Sequence, residues 1–459
     1  MPRPDPRSPR LPDDFPTAPD RPDPAPAEGE AAWPGGSLLG RPGPLDREVL
    51  WWLLLGLASL AVLGLYLLRL PGAGGSGALN VDRAIFSSVS AVTLTGLRQV
   101  IDAAPGAGGS DGQLLVPLTL LGLTLGASFV TLAAAGLPAC RVLGMSHSAK
   151  RVCAAAGVLV VGGTLLGSLG LWNGARSYLD ALVQAASAVG NSGVFWGRLP
   201  RGDGWQTQVV LLPLSVLGGL GLPVVLDLYD RATGRTTSLL PHTKLVLGLS
   251  AAAYGVGAVL LLAFDERFAS LLWGGLTGGG WTPADGRALR SLVVDASVLS
   301  LNARSGGFPL EPGTLAALPR AAGWVLTLLM AAGPGPAGTG GGLKLTTLYL
   351  LGTAARRGAD GERQPPECGF ALLWAMGFAG VVGVGLAGLL WAAPEVPGDR
   401  LLALAVSATS NSGLAHDAIV QVKVPLMILA GMMVLGRVLP ILLLWRMADR
   451  VDHAETVVG

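Results

Sequence analysis

The sequence predicts an all-α polytopic membrane protein, with four helix–pore loop–helix repeats around a pseudo-fourfold central pore. Two observations carry that prediction. The 459 residues are 51% hydrophobic and only 14% charged, and the apolar runs approach the roughly 20 residues that cross a bilayer. Four short apolar segments also end in one pattern, a small hydroxyl residue followed by glycine. They are Ser90-Ala-Val-Thr-Leu-Thr-Gly96-Leu, Ser187-Ala-Val-Gly-Asn-Ser-Gly193-Val, Asn302-Ala-Arg-Ser-Gly-Gly307-Phe and Ser407-Ala-Thr-Ser-Asn-Ser-Gly413-Leu. They recur about every hundred residues, the signature of an internal repeat rather than of separate domains.

The elements follow in chain order. Residues 1–48 are dense in proline, arginine and aspartate and carry almost no aliphatic side chains before Leu38, so they cannot bury enough surface to fold and read as a disordered cytoplasmic tail. They lack the early apolar core of a secretory signal. The rest divides into units 49–140, 141–235, 236–360 and 361–459. Long helices are expected near 50–69, 113–135, 152–172, 206–228, 243–264, 320–350 (broken), 368–392 and 423–446. Between the members of each pair lies a shorter stretch, near 82–98, 176–197, 287–308 and 399–415. Each has about ten to 14 helix-compatible residues before its glycine, which suits a re-entrant segment rather than a crossing one.

Charge placement orients these units. Arg141, Lys150 and Arg151, then Arg231, Arg235 and Lys244, then Arg356, Arg357 and Arg363, and finally Arg446 and Arg450 fall on one side if each unit crosses twice. The positive-inside bias makes that side cytoplasmic, together with both termini. Arg69, Arg83, Arg176, Arg198 and Arg201 run against the bias on the other side.

The loops have the chemistry of a cation path. Glycine at each tip takes positive φ, so successive carbonyls can turn toward a common axis and replace an ion's water shell. Each short helix points its partially negative C-terminal end at the same place. No Asp or Glu lies in any of the four loops, so carbonyls and hydroxyls supply the coordination, which suits a dehydrated monovalent ion. The candidate filter residues are Thr95 and Gly96, Ser192 and Gly193, Gly306 and Gly307, Ser412 and Gly413, with the ion at Gly96, Gly193, Gly307 and Gly413.

Residues 333–342 hold two prolines and six glycines, so the sixth long segment must unwind in mid-membrane. Unpaired amides facing lipid are costly, which places the break in a water-filled path beneath the loops, as a gate. Gly333, Gly335, Gly338, Gly340, Gly341, Gly342 and Lys344 are its candidate residues. Arg437, in a long apolar helix, is the candidate for a fixed positive barrier, with a packed structural ion pair as its alternative.

At these positions the chain resembles the Trk/Ktr/HKT superfamily of potassium transporters, over roughly residues 50–447. Leu217-Gly-Gly-Leu-Gly-Leu-Pro-Val-Val-Leu-Asp227 and Leu240-Pro-His-Thr-Lys-Leu-Val-Leu247 are similar to that family's second outer helix and the following loop. Ala332 to Thr347 resembles its glycine-rich gating loop, and Gly436-Arg437-Val-Leu-Pro440 its arginine-bearing last helix. The second, third and fourth loops depart from the family's usual wording while keeping glycine at the tip. The resemblance implies potassium uptake across the cell (inner) membrane and a homodimer in membrane lipid, resting on cytoplasmic nucleotide-binding regulatory subunits. A sodium-permeable or weakly selective transporter of the same fold is the alternative.

No enzyme activity, organic cofactor or nucleic-acid partner is expected. The chain carries neither a Walker-type loop nor a Rossmann motif, and Cys140, Cys153 and Cys368 read as small packers. A remote alternative is an intramembrane serine protease using Ser192 within Gly190-Asn-Ser192-Gly193, with His416 as base. The Ser-Gly ending at Ser192, Ser305 and Ser412, with Thr95 as the variant, argues against a single nucleophile. His416 and Asp417 are placed at the outer mouth, and His147, His242 and His453 in loops.

Overall fold

The computed structural model describes residues 47–70, 80–97, 114–172, 177–277, 282–304, 306–308, 315, 318–362, 366–416 and 425–457. Residues 1–46 of the expected tail, and Arg176, Ser305, Arg363 and Asp417, lie outside the described residues.

The first unit is α1 (Arg47–Leu68), α2 (Val81–Val92) and α3 (Leu115–Val142). In the second, α4 (Ala149–Gly157) passes through a π turn into α5 (Gly163–Leu171), followed by α6 (Tyr178–Gly190), α7 (Leu212–Leu220) and α8 (Leu222–Ala232). The third contains α9 (Pro241–Ala263), α10 (Glu266–Leu276), α11 (Pro283–Arg304), α12 (Arg320–Ala331) and α13 (Leu345–Ala359). The fourth is α14 (Pro366–Ala392), α15 (Gly398–Thr409) and α16 (Leu426–Val457). Hydroxyl and carboxylate caps set several starts: Ser148 accepts from Arg151 N at 3.3 Å and Asp265 from Arg267 N at 2.9 Å, each satisfying an amide that the first turn leaves open.

Six of these helices or helix runs are long and apolar enough to cross a membrane, and the bent α7–α8 pair, with the π turn before it, makes a seventh. Large apolar side chains point outward, with Trp52 69%, Val384 78% and Trp391 86% exposed. Threonine, serine and asparagine are buried in the middle. That inversion is stable in lipid, and in water it would leave an apolar surface far larger than a soluble monomer carries.

Four expectations need correction. The fourth long helix is not continuous: α7 and α8 meet at 101°. Gly221 at the corner has φ +95°, Pro223 opens α8, and a Cβ on Gly221 would fall 2.0 Å from Pro336 O. The backbone thus turns where the glycine-rich segment of the next unit is packed against it. The short helix of the third unit, α11, has 22 residues rather than ten to 14, and α10 precedes it where no helix was expected. α16 runs well past residue 446. His147 lies in a loop as expected, with its side chain buried, while His242 and His453 lie within α9 and α16 rather than in loops.

The units share cores around a closed circuit. Leu132 of α3 and Val189 of α6 belong to one cluster, and Phe308, from the third loop, packs into the core of α5 and α6. Val406 and Leu414 of the fourth unit join the α9–α11–α12 cluster, and Phe86 of α2 is fully buried in the α14–α15–α16 core. Between helices in lipid such seams gain from van der Waals packing rather than from removing apolar surface from water.

A polar latch joins the α3–α4 turn to the end of α8. Asp230, 6% exposed, accepts from Arg151, from Arg235 at 3.3 Å and from His147 Nε2 at 3.2 Å. Among the described residues His147 Nδ1 is buried without a partner. Burial, reinforced by Arg151, pushes the His147 pKa below its usual 6.5. The unfolded chain therefore binds the extra proton first. The stability that neutral His147 contributes is complete above pH 6.5 and is lost as pH falls through its lower folded value. Thermal melts of purified protein from pH 8 to about 5 are expected to show that decline, and His147→Asn should flatten it.

Candidate functional site

The four loop tips are built alike. Past the ends of α2, α6 and α15, Leu94, Asn191 and Asn411 adopt left-handed conformations with φ of 55°, 50° and 51°. The amides of Thr95, Ser192, Gly307 and Ser412 each then donate to a carbonyl five residues back, at Ser90 (2.9 Å), Ser187 (3.0 Å), Asn302 (3.2 Å) and Ser407 (3.0 Å). Gly96, Gly193, Gly307 and Gly413 follow in the left-handed region at φ 76°, 62°, 62° and 82°.

The tips close into a ring. A Cβ on Gly96 would fall 2.0 Å from Ser192 O, one on Gly193 2.8 Å from Gly307 O, one on Gly307 1.9 Å from Ser412 O, and one on Gly413 1.9 Å from Thr95 O. Each glycine is pressed against the next unit's carbonyls, and the fourth returns to the first. Positive φ and contact closer than any Cβ tolerates both demand glycine there. Hydroxyls surround the ring: Thr93 and Thr95 are 2.7 Å apart, Ser187 and Ser192 2.8 Å, and Ser412 Oγ donates to Ala303 O at 2.9 Å.

The third tip is one residue shorter, with five steps from Asn302 to Gly307 against six from serine to glycine in the others. Gly306 absorbs the difference at φ 95°. Asn302 clamps the tip, accepting from Phe308 N at 2.9 Å and donating to Phe308 O. Arg304, at the end of α11, donates to Ser250 O at 3.2 Å and Ala332 O at 3.3 Å.

The glycine-rich segment packs against these tips. β1 (Ala332–Gly333) and β2 (Leu343–Lys344) pair in parallel, pinching the segment into a closed loop, and Lys344 Nζ donates to Gly340 O. A Cβ on Gly338 would meet Gly219 O at 2.5 Å, and one on Gly341 would meet Ser410 O at 2.1 Å. Leu222 N donates to Ala337 O at 3.2 Å. Arg437, 4% exposed, donates from Nε to Thr93 O at 2.8 Å, from Nη1 to Thr339 O at 2.6 Å and from Nη2 to Leu94 O at 3.3 Å. The expected alternative of an ion pair is replaced by carbonyls: among the described residues Arg437 is paired with no carboxylate. Away from the ring lies a cavity of about 240 Å³ walled by α3, α13, α14 and α16, with Gly338, Gly340, Gly341, Lys344 and Arg437 on its surface.

Sequence reasoning passed over the asparagines and Thr339. Their signal was a lone amide at one position in two of the four loops and a lone hydroxyl in a stretch of glycine. Ser192 Oγ, fully buried, is held by Ser187. His416 lines a separate cavity with Arg320 and Asp399, of which Ser192 is not a wall.

The crystal structure of the potassium transporter TrkH from Vibrio parahaemolyticus matches with a TM-score of 0.58, covering 85% of this chain and 84% of that chain at 16% sequence identity. The chain has the TrkH fold. No protein-family model and no curated protein sequence matches it. What the chain shares with TrkH is thus the course of an all-helical, integral membrane backbone.

Within this TrkH fold, one glycine of α7 and one of α16 carry matching contacts. A Cβ on Gly218 would fall 1.9 Å from Val189 O, and one on Gly436 1.9 Å from Thr409 O. Gly218→Ala and Gly436→Ala are expected to destabilise by about 1–3 kcal/mol through overpacking, although alanine favours a helix by about 1 kcal/mol. Gly431→Ala, with nothing within 4 Å, should be neutral or stabilising. Melting temperatures of the three variants check this.

Proposed function

We propose that this protein conducts potassium across the cell membrane along one path, through the ring of Gly96, Gly193, Gly307 and Gly413. The closed circuit of glycines against carbonyls carries this reading. It concentrates neutral oxygen, without a carboxylate, where four helix C-termini meet. Such a site replaces the hydration of a large monovalent cation better than that of a divalent one. The likeness to the structure of the potassium transporter TrkH supports the same choice. The four repeats act as one pore domain, with termini and inter-unit loops cytoplasmic. The gradient and the membrane potential, about 2.3 kcal/mol per charge per 100 mV, drive the ion.

In this reading the segment from Gly333 to Lys344 is the gate and the cavity beyond it the cytoplasmic exit. Arg437 is a brace that ties the first tip to that gate. A homodimer and a nucleotide-binding partner at the basic cytoplasmic loops complete the proposal.

Gly96→Ser is expected to lower potassium preference, because its side chain collides with Ser192 O and disfavours positive φ. Tracer uptake of rubidium and sodium into proteoliposomes reads the change. An unaltered ratio in serine variants of all four glycines rejects the filter and leaves the sodium-permeable alternative.

Arg437→Gln separates brace from barrier. As a brace it supplies charge-assisted hydrogen bonds worth about 1.5–3 kcal/mol each, so its loss should lower the melting temperature and flux together. Arg437→Lys should recover part of both. A Gln variant with parental melting and faster flux assigns Arg437 to an electrostatic barrier instead.

A further inference from the structure

Thr339 is the only residue between Gly333 and Gly342 with a polar side chain, and it is fully buried. Its hydroxyl donates to Val189 O at 3.0 Å and accepts from Asn191 Nδ2 at 2.8 Å. Its amide donates to Gly218 O at 3.0 Å, and its carbonyl accepts from Arg437 Nη1 at 2.6 Å. Every polar group of this residue is thus committed to other segments: the end of α6 and its tip, α7 and α16.

The fourth unit explains what that hydroxyl does. Asn191 and Asn411 occupy equivalent left-handed positions, two residues before the ring glycine. Each amide spans a carbonyl of the next long helix and a threonine hydroxyl. For Asn411 these are Met433 O at 3.0 Å and Thr95 Oγ1 at 2.9 Å. For Asn191 they are Ser215 O at 2.9 Å and Thr339 Oγ1. The same bracket is built twice, but its threonine comes from the ring in one case and from the glycine-rich segment in the other. A part of the gate therefore fills the place of a filter residue.

We propose that Thr339 is a positioning residue for ion specificity: it holds the second ring turn in its selective shape only while the glycine-rich segment is seated. Withdrawal of the segment takes the hydroxyl from Val189 O and Asn191 together, and the amide loses its anchor. Opening and selectivity are then one event, and the path is most selective when most obstructed. This rests on the filter and gate assignments above.

The test uses the full chain in proteoliposomes, with rubidium and sodium tracer uptake and melting temperature measured for each variant. Thr339→Val keeps the shape and removes the hydroxyl. It is expected to raise flux and to lower the rubidium-to-sodium ratio about two- to tenfold, the loss that one or two hydrogen bonds represent. Thr339→Ser should restore both. Asn191→Leu should lower the ratio likewise, and the double variant by less than the sum of the two, because both remove the bond between Asn191 and Thr339. Thr327→Val, which removes a buried hydroxyl bonded within α12 to Gly323 O, should leave the ratio unchanged. Should the valine variant not fold, Thr339→Ala gives the same reading without added bulk. Altered flux at an unaltered ratio, or an equal shift in the Thr327 control, overturns the coupling while the filter stands. A parent chain without rubidium preference overturns the filter reading and this inference together.

Discussion

Backbone hydrogen bonding at membrane depth is the constraint on which the structure depends. Water is absent from the hydrocarbon core, so a chain that leaves the helix there must find partners within the protein. This chain leaves it at four tips and again across the glycine-rich segment. Each tip closes part of its deficit locally, through the amide that reaches five residues back. Further bonds come from other units: Asn191, Asn411, Ser412, Thr339 and Arg437 all reach across from one unit or segment to another. No tip keeps its shape without its neighbours, so the ring and the helices around it form as one object.

Close approach is the other half of that solution. Carbonyls of the tips meet glycines of adjacent tips and of α7 and α16 at distances no Cβ permits. Glycine is therefore used less as a flexible residue than as an absent side chain. The abundance of 68 glycines in 459 residues follows in part from this, since many backbones converge where a side chain would hold them apart. The apolar seams at Phe86, Phe308 and Leu414 press the units together from outside the ring. They supply the compression, and the hydrogen bonds supply the register.

Much of this was legible in the sequence, because lipid restricts the choices. Twenty apolar residues in a row have few fates, and ten ending in Ser-Gly between two longer runs have fewer still. The interruption at 333–342 was equally plain, since no helix absorbs two prolines and six glycines in ten residues. The misreadings lie where a local pattern was continuous but a distant contact broke it. The run from 206 to 228 reads as one apolar helix, yet the fold bends it at Gly221 to admit Pro336. α10 and the long α11 carry enough charge to fall outside a membrane pattern, so periodicity gave no reason to extend the short helix there.

The sequence by itself determined the solvent, the fourfold recurrence, the positions that must be glycine and the place where a helix must fail, because each follows from composition or spacing along one stretch of chain. Only the tertiary structure decided which groups meet. Arg437 read as a fixed positive barrier with an ion pair as its alternative, and the fold gives it three carbonyls from two other segments. Thr339 was passed over among glycines, and the fold makes it the partner of Asn191, 148 residues away. A hydrogen bond between residues so far apart leaves no local pattern, since its geometry exists only after the helices between them have packed.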